Sequence, residues 1–312
     1  MLVAEPLSEH ARISLLTCHP GEELYECYGH TAIRVVDPEQ NMDIVFNYGL
    51  FSFETDHFYY KFVKGETWYQ LGVESTPNFV WYYRNEERDV CEQELALSPE
   101  ESNRLWEALV TNYEPKNRSY LYNFVFDNCA TRPYHMIVRA LDDSIQSTYT
   151  GAIGQTYRMF LRRYTGAGTW ADFGINLLFG RRADRVMQGT DALFLPEELM
   201  HYMSAAKRAD GRPLIVQEHT SKFAAPKTPW YKTWYFGLSV ATLILLLITL
   251  LDRHRGRLSW WIDAILGFAM LIVLGIVVFL TFFSIHPLVG FGWRLLIIPT
   301  LHLCARLPYF IR

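Results

Sequence analysis

The chain has 312 residues, 29 of them Lys or Arg and 33 Asp or Glu, for a formal net charge of −4. That length is enough for one good-sized core and something more. The charge balance leaves no basic excess to neutralise phosphates, which argues against nucleic-acid binding. Five cysteines, Cys18, Cys27, Cys91, Cys129 and Cys304, form no CxxC and no Cys/His pair at ligand spacing. A zinc centre and a disulfide scaffold are therefore not expected, and no motif calls for a cofactor or a metal. Cys18 and Cys27 could still pair in an oxidising compartment.

Met1 to Pro6 carry neither the charged n-region nor the apolar h-region of a signal peptide. Arg12 to Thr17 alternates around Ile13 and Leu15, as a strand does. After a Pro20-Gly21 turn, Thr31 to Val36 forms a second strand. The cluster Asp37-Pro38-Glu39-Gln40-Asn41 then turns the chain back through Ile44 to Tyr48, which completes a hairpin. Phe53 to Lys64 is aromatic-rich and predicted helical up to Gly65, and Trp68 to Val73 and Val90 to Leu97 are predicted strands. Ser98-Pro99-Glu100-Glu101 is a helix start, with Ser as N-cap, Pro in the first helical position and Glu101 closing a capping box. That helix runs through Leu105, Trp106, Leu109 and Val110 to about Tyr113. Tyr120 to Phe126 is β-prone, and Cys129 to Leu141 has helical spacing. Residues 142–225 hold two or three further helices, including Pro196 to Ala206.

Composition changes sharply at Trp230, so residues 1–229 read as a patterned globular domain and 230–312 as a membrane segment. Tyr235 to Leu251 is an apolar run bounded by Trp230, Tyr231 and Trp234 on one side and Asp252 on the other. Trp260 to Phe283 is a second, interrupted only by Asp263. Each can cross a hydrocarbon core of ~30 Å at about 1.5 Å per residue. Core helices of a soluble protein can be as apolar, but two in succession with aromatic ends read as spans, at about 234–251 and 260–283. The linking loop Asp252-Arg253-His254-Arg255-Gly256-Arg257 carries three arginines, which places it in the cytoplasm and residues 1–230 outside it. A third apolar stretch, 288–307, contains Gly290, Gly292, Arg294, Pro299 and His302; it reads as a third span or as a re-entrant or interfacial segment.

Two segments carry candidate chemistry. In Asp127-Asn128-Cys129 the thiol stands at a helix start, where the dipole and free backbone N–H groups favour the nucleophilic thiolate. The same N–H groups, with the Asn128 amide, could hold an oxyanion. The plain alternative is that a cysteine is among the most buried residue types and commonly only packs. In Tyr28-Gly29-His30-Thr31, a histidine follows a glycine at the start of a strand and can project into a cleft, although a lone histidine is more often structural. A general base needs orienting. With the hairpin turn near Glu39, Asn47 or Tyr48 falls roughly opposite His30; Asn47 could hold the imidazole, with Tyr48 the weaker support.

The order His30, Asn47, Cys129 resembles that of circularly permuted papain-like enzymes, including the lecithin:retinol acyltransferase-like proteins. More closely, Leu16-Thr17-Cys18-His19-Pro20-Gly21, Gly29-His30-Thr31-Ala32-Ile33-Arg34-Val35 and Phe126-Asp127-Asn128-Cys129-Ala130-Thr131-Arg132 resemble the Lnb family of bacterial lipoprotein N-acyltransferases. So do Ala183-Asp184-Arg185, Phe194-Leu195-Pro196 and Ser284-Ile285-His286-Pro287. The resemblance implies an α+β, permuted papain-like periplasmic domain followed by transmembrane helices in the bacterial inner membrane. It further implies an enzyme that moves an acyl chain from a membrane lipid to the α-amine of a diacylated lipoprotein's N-terminal cysteine; the donor could be a membrane phospholipid or an ester on the lipoprotein itself. On that pattern Cys129 is the nucleophile and His30 the base. His19, where small residues are more usual, and Cys27, close to His30, depart from it. Two other readings stand beside this one: a membrane-anchored cysteine peptidase or amidase acting on cell-wall peptides, and a non-catalytic membrane scaffold. The aromatic density at Phe51, Phe53, Phe58, Tyr59, Trp81 and Tyr82 favours a greasy groove over a watery cleft.

Overall fold

A computed structural model describes residues 5–142, 144–219, 228–257 and 259–292. The strands are β1 (Arg12–Cys18), β2 (His30–Asp37), β3 (Met42–Leu50), β4 (Trp68–Ser75), β5 (Val90–Leu95), β6 (Ser119–Leu121), β7 (Gln146–Ser147), β8 (Ala206–Lys207) and β9 (Ile215–His219). The helices are α1 (Phe58–Lys64), α2 (Thr76–Asn85), α3 (Pro99–Tyr113), α4 (Thr131–Ala140), α5 (Tyr157–Thr165), α6 (Trp170–Leu178), α7 (Pro196–Ser204), α8 (Trp234–Arg255) and α9 (Trp260–Phe283). They group into two units, one from the described residues of 1–155 and 186–219, the other from those of 156–185 and 228–292.

The first unit is α+β. Seven antiparallel strands run in the order β6-β4-β3-β2-β1-β5-β9. Alternation sorts their side chains onto two faces. Ile13, Leu15, Ile33, Val35, Phe46 and Tyr48 pack on one, against Leu105, Trp106 and Leu109 of α3 and Ile137 of α4. Leu16, Cys18, Ala32 and Val45 line the other, against Phe79 and Tyr83 of α2. The capping box at α3 forms as read: Glu101 N–H donates to Ser98 Oγ at 3.3 Å, and Ser98 N–H to Glu101 Oε2 at 2.7 Å.

Four segments differ from their sequence patterns. Only Phe58–Lys64 of the aromatic stretch is helical, because Ser52 draws in the Glu54 N–H with its hydroxyl and the Thr55 N–H with its carbonyl. Of Tyr120 to Phe126 only the first residues are strand, since Asn123 Oδ1 accepts from Val125 and Phe126 N–H and bends the chain. The helix α2 and the edge strand β9 have no counterpart in the sequence reading; β9 is short and polar, with little alternation to announce it.

The second unit holds the two apolar helices, α8 of 22 residues and α9 of 24, both long enough to cross a membrane. The segment 156–185 groups with them rather than with the sheet. Trp234 N–H donates to Gly168 O at 3.0 Å, Gly180 N–H donates to Leu288 O at 3.0 Å, and Phe179 bridges Val289. Residues 288–292, where a third span was expected to begin, are not helical, and 293–307 lies outside the described residues.

Candidate active site

The β2–β3 ladder ends at the pair Ala32↔Asn47, so His30 lies two residues past it on the same face of the sheet. A diagonal neighbour at that offset is within reach of a long side chain. His30 Nε2 lies 2.7 Å from Asn47 Oδ1. Asn47 Nδ2 in turn donates to Glu74 Oε1 at 3.1 Å. A carboxylate only accepts, so Glu74 fixes the Asn47 amide with its oxygen toward His30. The imidazole proton then sits on Nε2, and Nδ1 is left as the free base. Behind the ring, Tyr83 stacks at 6.3 Å and 16°. Arg88 covers Tyr83 at 4.8 Å and is itself paired with the buried Glu26 at 3.0 Å. Gly29 admits no side chain here: its φ is +77°, and a Cβ would stand 2.7 Å from the Cys18 carbonyl oxygen.

Cys129 arrives from the far edge of the sheet. β6 leads into a turn closed by Asn123 and Asp127, and Asn128 then caps α4. Its Oδ1 accepts from the N–H groups of Ala130 and Thr131, both at 2.9 Å. Its Nδ2 donates to the carbonyls of Phe124 and Phe194, both at 2.8 Å. Every amide hydrogen of Asn128 is thus used, which leaves none for the oxyanion role read from the sequence. Tyr48 is likewise absent from the site. One step along β3 from Asn47, it faces the opposite side of the sheet and donates to Asn112 Oδ1 at 2.9 Å.

The groups converge on Gly49. β3 slips register against β4 between Asn47 and Leu50, and Gly49 has a φ of +86°. The point a Cβ would occupy there is 3.5 Å from Cys129 Cβ, 3.8 Å from His30 Cε1 and 4.0 Å from the Tyr120 hydroxyl. The structure therefore brings Cys129, His30 and Asn47 together and adds Glu74, Gly49 and Tyr120, none of which the sequence reading singled out. No local motif marks Glu74 or Tyr120, because each is defined by a strand partner rather than by a neighbour in sequence.

The family model of the Lnb N-terminal periplasmic domain matches residues 7–163, about half of the chain, and that of the Lnb transmembrane domain matches residues 227–312. The chain belongs to the Lnb family. No curated protein and no solved structure matches it. It is accordingly a membrane protein with a periplasmic domain.

In this Lnb protein burial decides both charges at the site. It pushes the Cys129 thiol up to about 11, against the Thr31 backbone N–H that hydrogen-bonds the sulfur. It holds His30 down to about 4, against the Asn47 hydrogen bond, with Arg88 lowering it a little further. The Cys129 backbone N–H also lowers the thiol, less than Thr31 does. At neutral pH the pair is therefore thiol and imidazole, not thiolate and imidazolium. The other half-buried thiol, Cys27, is pushed higher, to about 12, and Cys18 is buried; both are free. His19 approaches Cys91 Sγ at 3.4 Å, on the same strand edge but not at the Gly49 point.

Alkylation of Cys129 by iodoacetamide, followed by peptide mass spectrometry, should therefore rise about tenfold per pH unit from pH 6 to 10. A rate already level at pH 6 would show a preformed thiolate. Gly49→Ala should slow Cys129 alkylation at pH 9 at least about tenfold and destabilise the fold by about 1–2 kcal/mol, through the left-handed backbone and the added methyl. Wild-type alkylation and unchanged thermal unfolding in that variant would remove Gly49 from the site.

Proposed function

We propose that this protein is a thiol-dependent lipoprotein N-acyltransferase of the bacterial inner membrane, with a papain-like dyad facing the periplasm and α8 and α9 as spans. The observation that carries the reading is that Cys129 Cβ and His30 Cε1 lie 3.5 and 3.8 Å from one point at Gly49, with the imidazole oriented by Asn47, in a member of the Lnb family. Cys129 Sγ attacks the carbonyl of a phospholipid ester while His30 Nδ1 takes the thiol proton. The ester C–O bond breaks, the alcohol leaves with that proton, and the chain remains as a thioester. The α-amine of a diacylglyceryl-cysteine then attacks the thioester, giving its proton to His30 and releasing the thiol.

A neutral dyad suits this chemistry, because the thiol is deprotonated only as it attacks and no charge pair has to be held in an apolar pocket. Apolar lining supports a lipid donor over a cell-wall peptide. From Tyr122 and Tyr69, stacked at 4.1 Å, aromatic contacts run through Phe51 at 5.0 Å to Phe53 and Phe58, and end at the exposed Tyr59. Tethering to the bilayer raises the effective concentration of two substrates that are themselves membrane-bound.

In cells lacking the protein, mass spectrometry of lipoprotein N-terminal peptides should find free α-amines. Wild type should restore the amide-linked chain, Cys129→Ala should not, and His30→Ala should restore it at least about 100-fold more slowly. Full N-acylation with Cys129→Ala would remove the thiol mechanism, and N-acylation without the protein would remove the substrate.

A further inference from the structure

Tyr120 has a buried hydroxyl with no hydrogen-bond partner among the described residues, although the side chain is only 5 % exposed. Orphaned buried hydroxyls are uncommon, and leaving one costs stability. This one lies 4.0 Å from the Gly49 point where Cys129 and His30 meet. Arg132 covers the ring at 3.6 Å and is held there by Asp127 at 2.6 and 2.8 Å. A cation over the ring draws electron density from the phenol and makes its O–H a stronger donor. Neither asparagine at the site can serve developing negative charge, since the Asn128 amide is fully used and Asn47 is turned toward His30 and Glu74.

We propose that the Tyr120 hydroxyl, with the Cys129 backbone N–H, donates to the oxyanion of the tetrahedral intermediate. As the S–C bond forms, the carbonyl π pair moves onto oxygen and the thiol proton goes to His30 Nδ1. Tyr120 keeps its own proton throughout, and releases the oxygen when the C=O bond re-forms and the ester C–O bond breaks. The role rests on the thiol acyl-transfer reading above.

The test is the burst of nitrophenolate when full-length protein in phospholipid nanodiscs meets a p-nitrophenyl fatty ester, which reports thioester formation without any amine acceptor. Tyr120→Phe should lower the burst rate constant about 100- to 1000-fold, with KM for the ester nearly unchanged. Alkylation of Cys129 at pH 9 and thermal unfolding should match wild type. A burst within about threefold of wild type overturns the Tyr120 role alone. A parallel fall in burst and alkylation also overturns it, as a packing effect. A wild-type protein with no Cys129-dependent burst overturns the thiol reading and the Tyr120 role with it.

A different observation concerns α6 in the second unit. Just before α6, Gly168 O accepts from Trp234 N–H at the first residue of α8; just after it, Gly180 N–H donates to Leu288 O beyond the end of α9. α6 is thus strung between the first residue of α8 and the segment just past the last residue of α9. Asp172 faces inward, to Arg162 at 3.0 Å and Asn176 at 2.7 Å. At 100° per residue the opposite face is Ala171, Gly174, Leu177 and Leu178, half-buried and with no charge on it, while Trp170 at its start packs on Gly237 of α8. Exposed Arg181 and Arg182 follow directly. We infer that α6 lies in the headgroup–acyl boundary of the outer leaflet, with phospholipid against this face and the arginines at phosphate level. A fluorescent amino acid placed at Ala171 or Leu178 of the full chain in nanodiscs should be quenched by brominated phospholipid, while one at Glu107 on α3 should not. Quenching at 171 and 178 no greater than at 107 would rule out contact with lipid.

Discussion

The β2–β3 ladder stops at Ala32 and Asn47, and what lies just past that last pair places the chemistry. Two more pairs in that register, Thr31 with Tyr48 and His30 with Gly49, would have committed the backbone at His30 and Gly49 to the ladder. Instead β3 bulges at Gly49 and the Thr31 N–H is free to meet the Cys129 sulfur. His30 stays on the face of Asn47, and a thiol from the far side of the sheet fits where Gly49 has no side chain. The hydrogen-bond chain from Glu74 through Asn47 then sets which imidazole nitrogen carries the proton.

Burial sets the electrostatic character of the site. Two of the charged groups near it are paired, Arg88 with Glu26 and Arg132 with Asp127, and Glu74 accepts from the Asn47 amide. Desolvation accordingly outweighs local attraction at both Cys129 and His30. For the proposed acyl transfer, a site of this kind suits a carbonyl that enters with its chain and excludes water. The aromatic contacts leading outward from Tyr69 and Tyr122 provide the matching apolar lining.

The grouping of 156–185 with the membrane helices changes how the chain is divided. Backbone links at Gly168, Phe179, Gly180 and Arg181 bind the segment to the start of α8 and to the residues just past α9. Arg158 is spent inside that unit, on Asp184 at 2.6 Å and on the carbonyls of Asn176, Phe179 and Gly180. These are buried charge-assisted bonds that a surface loop would not need. A boundary drawn on composition alone falls at Trp230, because α5 and α6 are polar enough overall to read as part of the soluble domain.

The sequence by itself determined the strands through β5, the capped helix α3, the two apolar helices and the family, since periodicity, capping and motif are local properties of neighbouring residues. It also pointed to Cys129, His30 and Asn47, because a short hairpin transmits register from its turn. Tertiary structure alone decided which groups surround them. Asn128 is a cap and not a free donor, Tyr48 faces the wrong side, and Glu74, Gly49 and Tyr120 enter through strand pairings and a bulge. Those contacts join residues 19 to 80 positions apart, where no pattern in the chain encodes which donor meets which acceptor.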